Sequence, residues 1–200
     1  MSLDDRAGYS QAGRPTGLVG WAAGLYMRWR NADLNAAAID ALVPFPGDRV
    51  LEIGVGPGEG LRRLSRVREI GKLTGIDHSA LMLTMAEQRN RPAIQRGDID
   101  LRLASIDAAP FVAGSFDAIM AIDCVQYWPN LMGGLAAVRR LLRPGGRVLF
   151  GMHGGRVDAG EFSPAKLGHA LSTAGFVQVT TERVDTRPAP STMVLARRPL

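Results

Sequence analysis

Between residues 50 and 60 the chain reads VLEIGVGPGEG, in which Glu52 closes an apolar run and Gly54, Gly56 and Gly58 follow at alternate positions. Alternate glycines strip side chains from a turn, so its backbone can approach a ligand closely and φ can become positive. A loop of this kind behind a strand holds a nucleotide, a phosphate or another charged cofactor, and the flanking residues decide which. The dinucleotide spacing G-x-G-x-x-G begun at Gly54 fails, because Glu59 stands where its third glycine belongs. The phosphate-loop pattern fails as well, since no Gly-Lys-Ser/Thr follows, and a carboxylate at 59 would sit poorly against a pyrophosphate. What remains is E-x-G-x-G-x-G, with a second acid, Asp77, ending the next apolar stretch.

These residues need a scaffold, and the apolar pattern predicts one. Leu34, Ala37, Ala38, Ala41 and Leu42 recur at helical spacing, and Pro44 and Pro46 close that helix. RVLEIGV reads as a first strand, buried on both faces because its apolar run is nearly continuous. A helix carrying Leu61, Leu64 and Val67 follows, with Gly71 expected to end it. KLTGID is the second strand, and a helix over 79–90 follows it. IDLRLAS, the third strand, alternates and belongs nearer an edge, whereas FDAIMAID is the fourth. Leu131, Leu135, Val138 and Leu142 mark a helix stopped by Pro144, Gly145 and Gly146 before a fifth strand, RVLFGM. Ser163 and Pro164 open another helix in cap order, and two strands, FVQVTTERV and TMVLARR, end the pattern. Strands alternating with helices imply right-handed crossovers, hence an α/β, doubly wound seven-stranded sheet with helices on both faces. With no helix before it, the last strand should run antiparallel. In such a sheet the ligand lies beyond the carboxyl ends of the strands where their order reverses, which is where 52–58 would fall.

Composition narrows the classes. Two hundred residues with 46% apolar and 22% charged side chains suit one soluble domain with a real core. A single cysteine, Cys124, excludes an internal disulfide framework and fits a reducing, cytoplasmic setting. GLVGWAAGLYMRW, over 17–29, is the most membrane-like stretch but falls short of the roughly 20 residues of a bilayer span. The net charge of +5 invites a nucleic-acid partner, yet the basic residues are scattered arginines with only Lys72 and Lys166 as lysines. No metal-ligand cluster stands out.

With the loop goes a set of further motifs, and together they resemble the class I S-adenosylmethionine-dependent methyltransferases over nearly the whole chain. VLEIGVGPG is similar to that family's first motif and GIDHS to its second. ASIDAAPFVAGSFDAIMAID resembles the stretch written G-D-A-x-x-L-P-F…S-F-D, LLRPGGRVLF the segment before strand five, and EFSPAKLGHALSTAGF the helix leading to strand six. The resemblance implies a Rossmann-like core over 47–200 and N-terminal lid or cap helices within 1–46. It implies S-adenosylmethionine as cofactor, no metal, and Glu52, Gly54, Gly56 and Gly58 as the cradle. Glu52 would order the loop and reach the cofactor's amino group through water. Asp77 would bond the ribose hydroxyls and His78 lie against the adenine. Ser105 stands where an aspartate usually accepts the adenine amino hydrogen, so Ser105 or Asp107 takes that bond while the N–H of Ile106 meets the ring. Asp123 falls at the rim between the cofactor's methionine end and the substrate, although it could equally cap a turn.

Methyl transfer from a sulfonium needs alignment, exclusion of water and, for protic acceptors, removal of a proton. Asp123 and His153 are the candidate bases, with a solvated loop as the other reading for His153. Arg28 or Arg30 is a candidate clamp for the cofactor carboxylate. The amino-methylating motif N/D-P-P-Y/F is missing; CVQYW follows Asp123 instead. A modest pocket roofed by residues 17–43, with no large insertion after strand five, points to a small-molecule or lipid acceptor. An RNA or protein methyltransferase, or a binding protein without catalysis, are the alternatives.

Overall fold

The computed structural model describes residues 15–154 and 163–200. Its strands are β1 (Val50–Ile53), β2 (Leu73–Asp77), β3 (Ile99–Leu103), β4 (Phe116–Ile122), β5 (Leu142–His153), β6 (Val177–Val184) and β7 (Ser191–Arg197). The helices are α1 (Gly17–Arg30), α2 (Ala32–Leu42), α3 (Glu59–Leu64), α4 (Ala80–Gln95), α5 (Leu131–Leu141) and α6 (Pro164–Thr173). One sheet takes the order β3-β2-β1-β4-β5-β7-β6. β1 through β5 pair in parallel, and β7 runs antiparallel to both of its neighbours. The order reverses between β1 and β4, so the crevice beyond their carboxyl ends is the place for a ligand. No described helix is long and apolar enough to cross a membrane.

Alternation along the central strands divides the core into two. Leu51 and Ile53 of β1 join Ile119, Val148 and Phe150 under α5 and α6. Val50 joins Ala118, Met120 and Leu149 under α2, α3 and α4. Leu34, Ala38, Ile39 and Leu42 put α2 firmly in this second layer. Arg147 ties it down: Nε donates to Leu42 O at 2.7 Å, Nη2 donates to Val43 O at 2.8 Å, and Asp48 pairs with the same nitrogen. The last carbonyls of α2 are thereby satisfied by a buried cation at the C-terminal end of the helix dipole.

Three boundaries differ from the sequence pattern, each for a physical reason. Helix α3 stops at Leu64, and Gly71 does not cap it; a Cβ at 71 would lie 2.5 Å from Gly47 O, so this glycine permits two backbone segments to pass. Helix α4 runs on to Gln95 through Pro92, which is exposed, while Ala93 and Ile94 continue the buried stripe. Losing one helical N–H on the solvent side costs less than ending that contact. Pro144–Gly146 fall inside β5, where the register jumps from Phe116↔Leu142 to Ala118↔Arg147, a bulge that absorbs the unpaired residues.

Candidate functional site

A cavity of about 360 Å³ opens at the reversal point. Its floor is Glu52, Gly54 and Gly56. One wall is Asp77, His78, Ser105, Ile106 and Asp107, and the other Asp123, Gln126 and Trp128. Its roof is Met27, Arg28 and Arg30 of α1 with Asn31 and Asn35. Strand ends bring these residues together: β1, β2, β3 and β4 all point their carboxyl termini at this space.

The glycines have distinct tasks. A Cβ on Gly56 would meet nothing within 4 Å, so its φ of +50° and an open face toward the cavity mark it as cradle. Gly58, at φ +80°, turns away from the cavity to α4, where a Cβ would lie 2.6 Å from Asn90 Nδ2 and 2.8 Å from Ala86 Cα. Asn90, which no sequence pattern singled out, donates from Nδ2 to Gly58 O at 3.0 Å and fastens the loop. Gly58→Ala is therefore expected to cost about 3 kcal/mol, combining left-handed strain with overpacking against backbone. Urea unfolding followed by circular dichroism measures it. Gly60 leaves room for the Glu52 carboxylate, into which a Cβ at 60 would run.

Glu59, the residue that breaks the dinucleotide spacing, is buried between two arginines. Arg63 Nε donates to Oε1 at 2.9 Å and Arg89 Nε to Oε2 at 2.8 Å, joining α3 to α4. The acids nearer the cavity differ in their state. Glu52 is 2% exposed, and burial pushes its carboxyl up to about 8 against the opposing bond from the Leu61 N–H. Burial also raises Asp77, although Oδ1 accepts from Ser79 N at 2.8 Å and Oδ2 from Gly56 N at 2.9 Å. Asp77 thus holds the glycine loop and the start of α4, with lone pairs to spare at the tip of β2.

Asp123 is the exception. Burial acts to raise it, but the hydrogen bond and charge of His153 and the charge of Arg30 outweigh that and hold it below the usual carboxylate range. Its Oδ2 meets His153 Nδ1 at 2.7 Å and Arg30 Nη1 at 2.7 Å, and Oδ1 accepts from His153 N at 3.0 Å. Its φ of +48° is strained for a residue with a side chain, and these bonds fix it. His153 itself does not line the cavity; it is 2% exposed behind Asp123, neither in the cleft nor on a solvated loop. Arg28 and Arg30, the two candidate clamps for the cofactor carboxylate, both line the cavity, and Arg30 also joins the end of α1 to Asp123 after β4.

Four cavity-lining residues also carry a buried oxygen without a hydrogen-bond donor: Asn31 Oδ1, Asn35 Oδ1, Glu52 Oε2 and Gln126 Oε1. The amides of Asn35 and Gln126 are oriented by bonds from their nitrogens to Asn31 O and Asp123 O, both at 2.8 Å. Asn31, Asn35 and Gln126 had no sequence signal, since they follow from the fold alone. The open glycine face, the carboxyl groups of Glu52, Asp77 and Asp123 and these spare acceptors suit a cofactor that is cationic at one end and rich in N–H and O–H donors. S-adenosylmethionine fits that description. Among the described residues no group of three or more His, Cys, Asp or Glu could hold a metal ion.

A family model described as a methyltransferase domain matches residues 51–150. An uncharacterized methyltransferase of Bacillus subtilis, YdaC, is 28% identical over 88% of this chain and 98% of its own length. The demethylmenaquinone methyltransferase of Tropheryma whipplei is 35% identical over 60% of this chain, which spans only 46% of that protein. Phosphoethanolamine N-methyltransferase 2 of Haemonchus contortus, solved with S-adenosyl-L-methionine, superposes with a TM-score of 0.77 at 17% identity. That match covers 96% of this chain and 60% of the other. The glycine cradle, the acids at the strand tips and the antiparallel last strand agree with the family match: the chain belongs to the class I S-adenosylmethionine-dependent methyltransferases.

Proposed function

We propose that this enzyme methylates a small-molecule or lipid acceptor seated between the glycine loop and the α1–α2 roof. The observation that carries the reading is one continuous cavity lined both by the loop and by the roof. Its volume of about 360 Å³ lies at the lower end of the roughly 300–1,000 Å³ range of ligand pockets. When bound, S-adenosylmethionine supplies an activated methyl group for in-line displacement. The chain's task is positioning. Glu52, Gly54 and Gly56 would take the methionine end, Asp77 and His78 the ribose and adenine side, and Ser105, Ile106 and Asp107 the adenine edge. Gly58 would act from behind the loop.

Asp123 faces the acceptor side as a carboxylate that stays ionised at neutral pH. It would orient a hydroxyl or amine on the acceptor, with His153 as the residue that positions it. Met27, Met82, Ile122 and Trp128 supply apolar wall against water and for a hydrocarbon part of the acceptor. Arg30→Ala is expected to raise the acceptor KM about tenfold by freeing the end of α1. The melting temperature should move little, because the pair is partly exposed and worth roughly 1 kcal/mol or less. Steady-state kinetics beside a thermal melt separates the two effects.

The reading is tested by methyl transfer from radiolabelled cofactor to a panel of hydroxylated aromatics, lipid extracts, RNA and protein. Label in the small molecules or lipids supports it. Label in RNA or protein alone overturns the acceptor class, and cofactor binding without transfer to any acceptor favours a binding protein.

A further inference from the structure

Helix α1 is packed inside out. Its buried residues are Gly20 and Gly24. A Cβ on Gly20 would lie 2.9 Å from Leu81 Cδ2, and one on Gly24 2.6 Å from Met85 Sδ, so the helix rests on α4 by its smallest side chains. The large apolar residues point outward: Leu18 is 89% exposed, Val19 67%, Trp29 62%, Tyr26 56% and Trp21 49%. At 100° per residue, Leu18, Ala22, Leu25 and Trp29 form one line along the helix. Trp21 and Arg28 flank it on one side, and Val19 and Tyr26 on the other. An ordinary surface helix buries such a stripe and exposes its polar residues. An apolar face of this kind, exposed except for half-buried Leu25, marks an interaction surface.

The composition of the face says what covers it. Helix α1 has no acidic residue, and its last turn holds Arg28 and Arg30. Tryptophan, tyrosine and arginine around leucine are the residues that sit at the headgroup level of a bilayer. The whole chain carries +5, which opposes the close approach of a second copy. Arg30 is paired with Asp123, so anionic lipid draws such a face through Arg28, by roughly 1 kcal/mol for a basic residue near the surface. Met27, Arg28 and Arg30 of the same helix line the active cavity, so the docked face and the mouth of the site share one element.

We infer that α1 docks on an anionic bilayer surface, with its aromatic face in the headgroup layer. This deepens the acceptor reading above: docking delivers an acceptor dissolved in lipid directly to the cavity. Binding draws on burial of the apolar face and on the charge of Arg28, and is expected to weaken as salt screens that charge.

The experiment is vesicle flotation with the full chain, using phosphatidylcholine alone and phosphatidylcholine with one third phosphatidylglycerol. Tryptophan emission and acrylamide quenching are recorded alongside. Expected are binding at least tenfold stronger to the anionic vesicles, a blue shift, and loss of quenching on binding. The double variant Leu18→Ser with Trp29→Ser should lose binding at least tenfold, and Arg28→Glu should lose the preference for anionic lipid. The double variant should keep wild-type calorimetric binding of S-adenosylmethionine, which shows that it folds; Arg28 lines the cavity, so the fold of Arg28→Glu is checked by circular dichroism and a thermal melt instead.

Absence of vesicle binding, or binding that neither variant changes, overturns the proposal. So does a free chain already shielded from acrylamide at all but one tryptophan, or a dimer in light scattering that Trp29→Ser dissolves, because the face is then covered by protein. Vesicle binding without methylation of any lipid or small molecule sinks the acceptor class and leaves the docking. Methylation of a water-soluble acceptor by a chain that binds no vesicle sinks the docking alone.

Discussion

Asp77→Ala is expected to weaken S-adenosylmethionine binding at least 100-fold and to abolish measurable methyl transfer. Both carboxylate oxygens are committed to backbone N–H groups, Oδ2 to Gly56 in the loop and Oδ1 to Ser79 before α4. Each bond to a charged acceptor contributes about 1.5–3 kcal/mol, and the variant leaves both donors without it. The loop then loses its tie to β2, and the proposed ribose contact disappears at the same stroke. Stability moves less than affinity, because the carboxyl is buried and raised, so its removal also relieves a desolvation cost. Asp77→Asn should fall between the two, keeping one acceptor and turning an NH2 toward the other N–H. Calorimetry with the cofactor and a urea titration of the apo chain separate affinity from fold. An alanine variant that binds with wild-type affinity would remove Asp77 from the site.

The second large effect is opposite in sign for stability and for binding. Glu52→Gln is expected to stabilise the apo protein by about 3 kcal/mol at pH 7 while weakening the cofactor roughly tenfold or more. The sign follows from the direction of the shift. A carboxyl raised from 4.5 to about 8 in the folded chain favours folding fully only below pH 4.5, and that contribution drains away as pH rises toward 8. The amide never ionises and escapes this loss. The difference between variant and wild type should therefore vanish near pH 4, grow between 4.5 and 8, and level off above. Glu52 Oε2 has no protein donor, so an incoming ammonium would be its first partner and would favour the ionised form. Wild-type affinity should then rise with pH toward 8, by at most tenfold per unit, as binding expels one proton. Glu52→Gln should show a flatter profile. Equal pH slopes in the two proteins would exclude the contact.

The strand ends were legible because period and punctuation report on backbone that is buried on both sides. Glu52, Asp77, Ser105 and Asp123 each follow an apolar run, so placing the runs in a sheet places the acids at one crevice. The roof was not legible. Asn31, Asn35 and Gln126 carry no pattern of their own, and Arg30 reaches Asp123 across 93 positions. His153 was found as a residue after a strand, but only packing shows that it stands behind Asp123 and not in the cleft. Glu59 served to reject a dinucleotide by spacing. Its pairing with Arg63 follows helical spacing, whereas its pairing with Arg89 depends on how α4 crosses α3. The glycines of α1 would ordinarily weaken a helix, and their reason, close approach to Met85 and Leu81, is visible only in three dimensions.

The position of β7 has a bearing on biosynthesis. Because β7 lies between β5 and β6, the earlier-made β6 has no strand to pair with until residues 191–197 exist. The half that carries the glycine loop, β1 to β4, can pair while the chain is still emerging from the ribosome, but one edge of β5 must wait. Synthesis at roughly 5–20 residues per second leaves that edge open for about 2–9 seconds, a window in which a chaperone or another nascent chain can reach it. Closure of the sheet is thus an event that follows translation of β7, and substitutions in β7 should reduce yield before they touch activity.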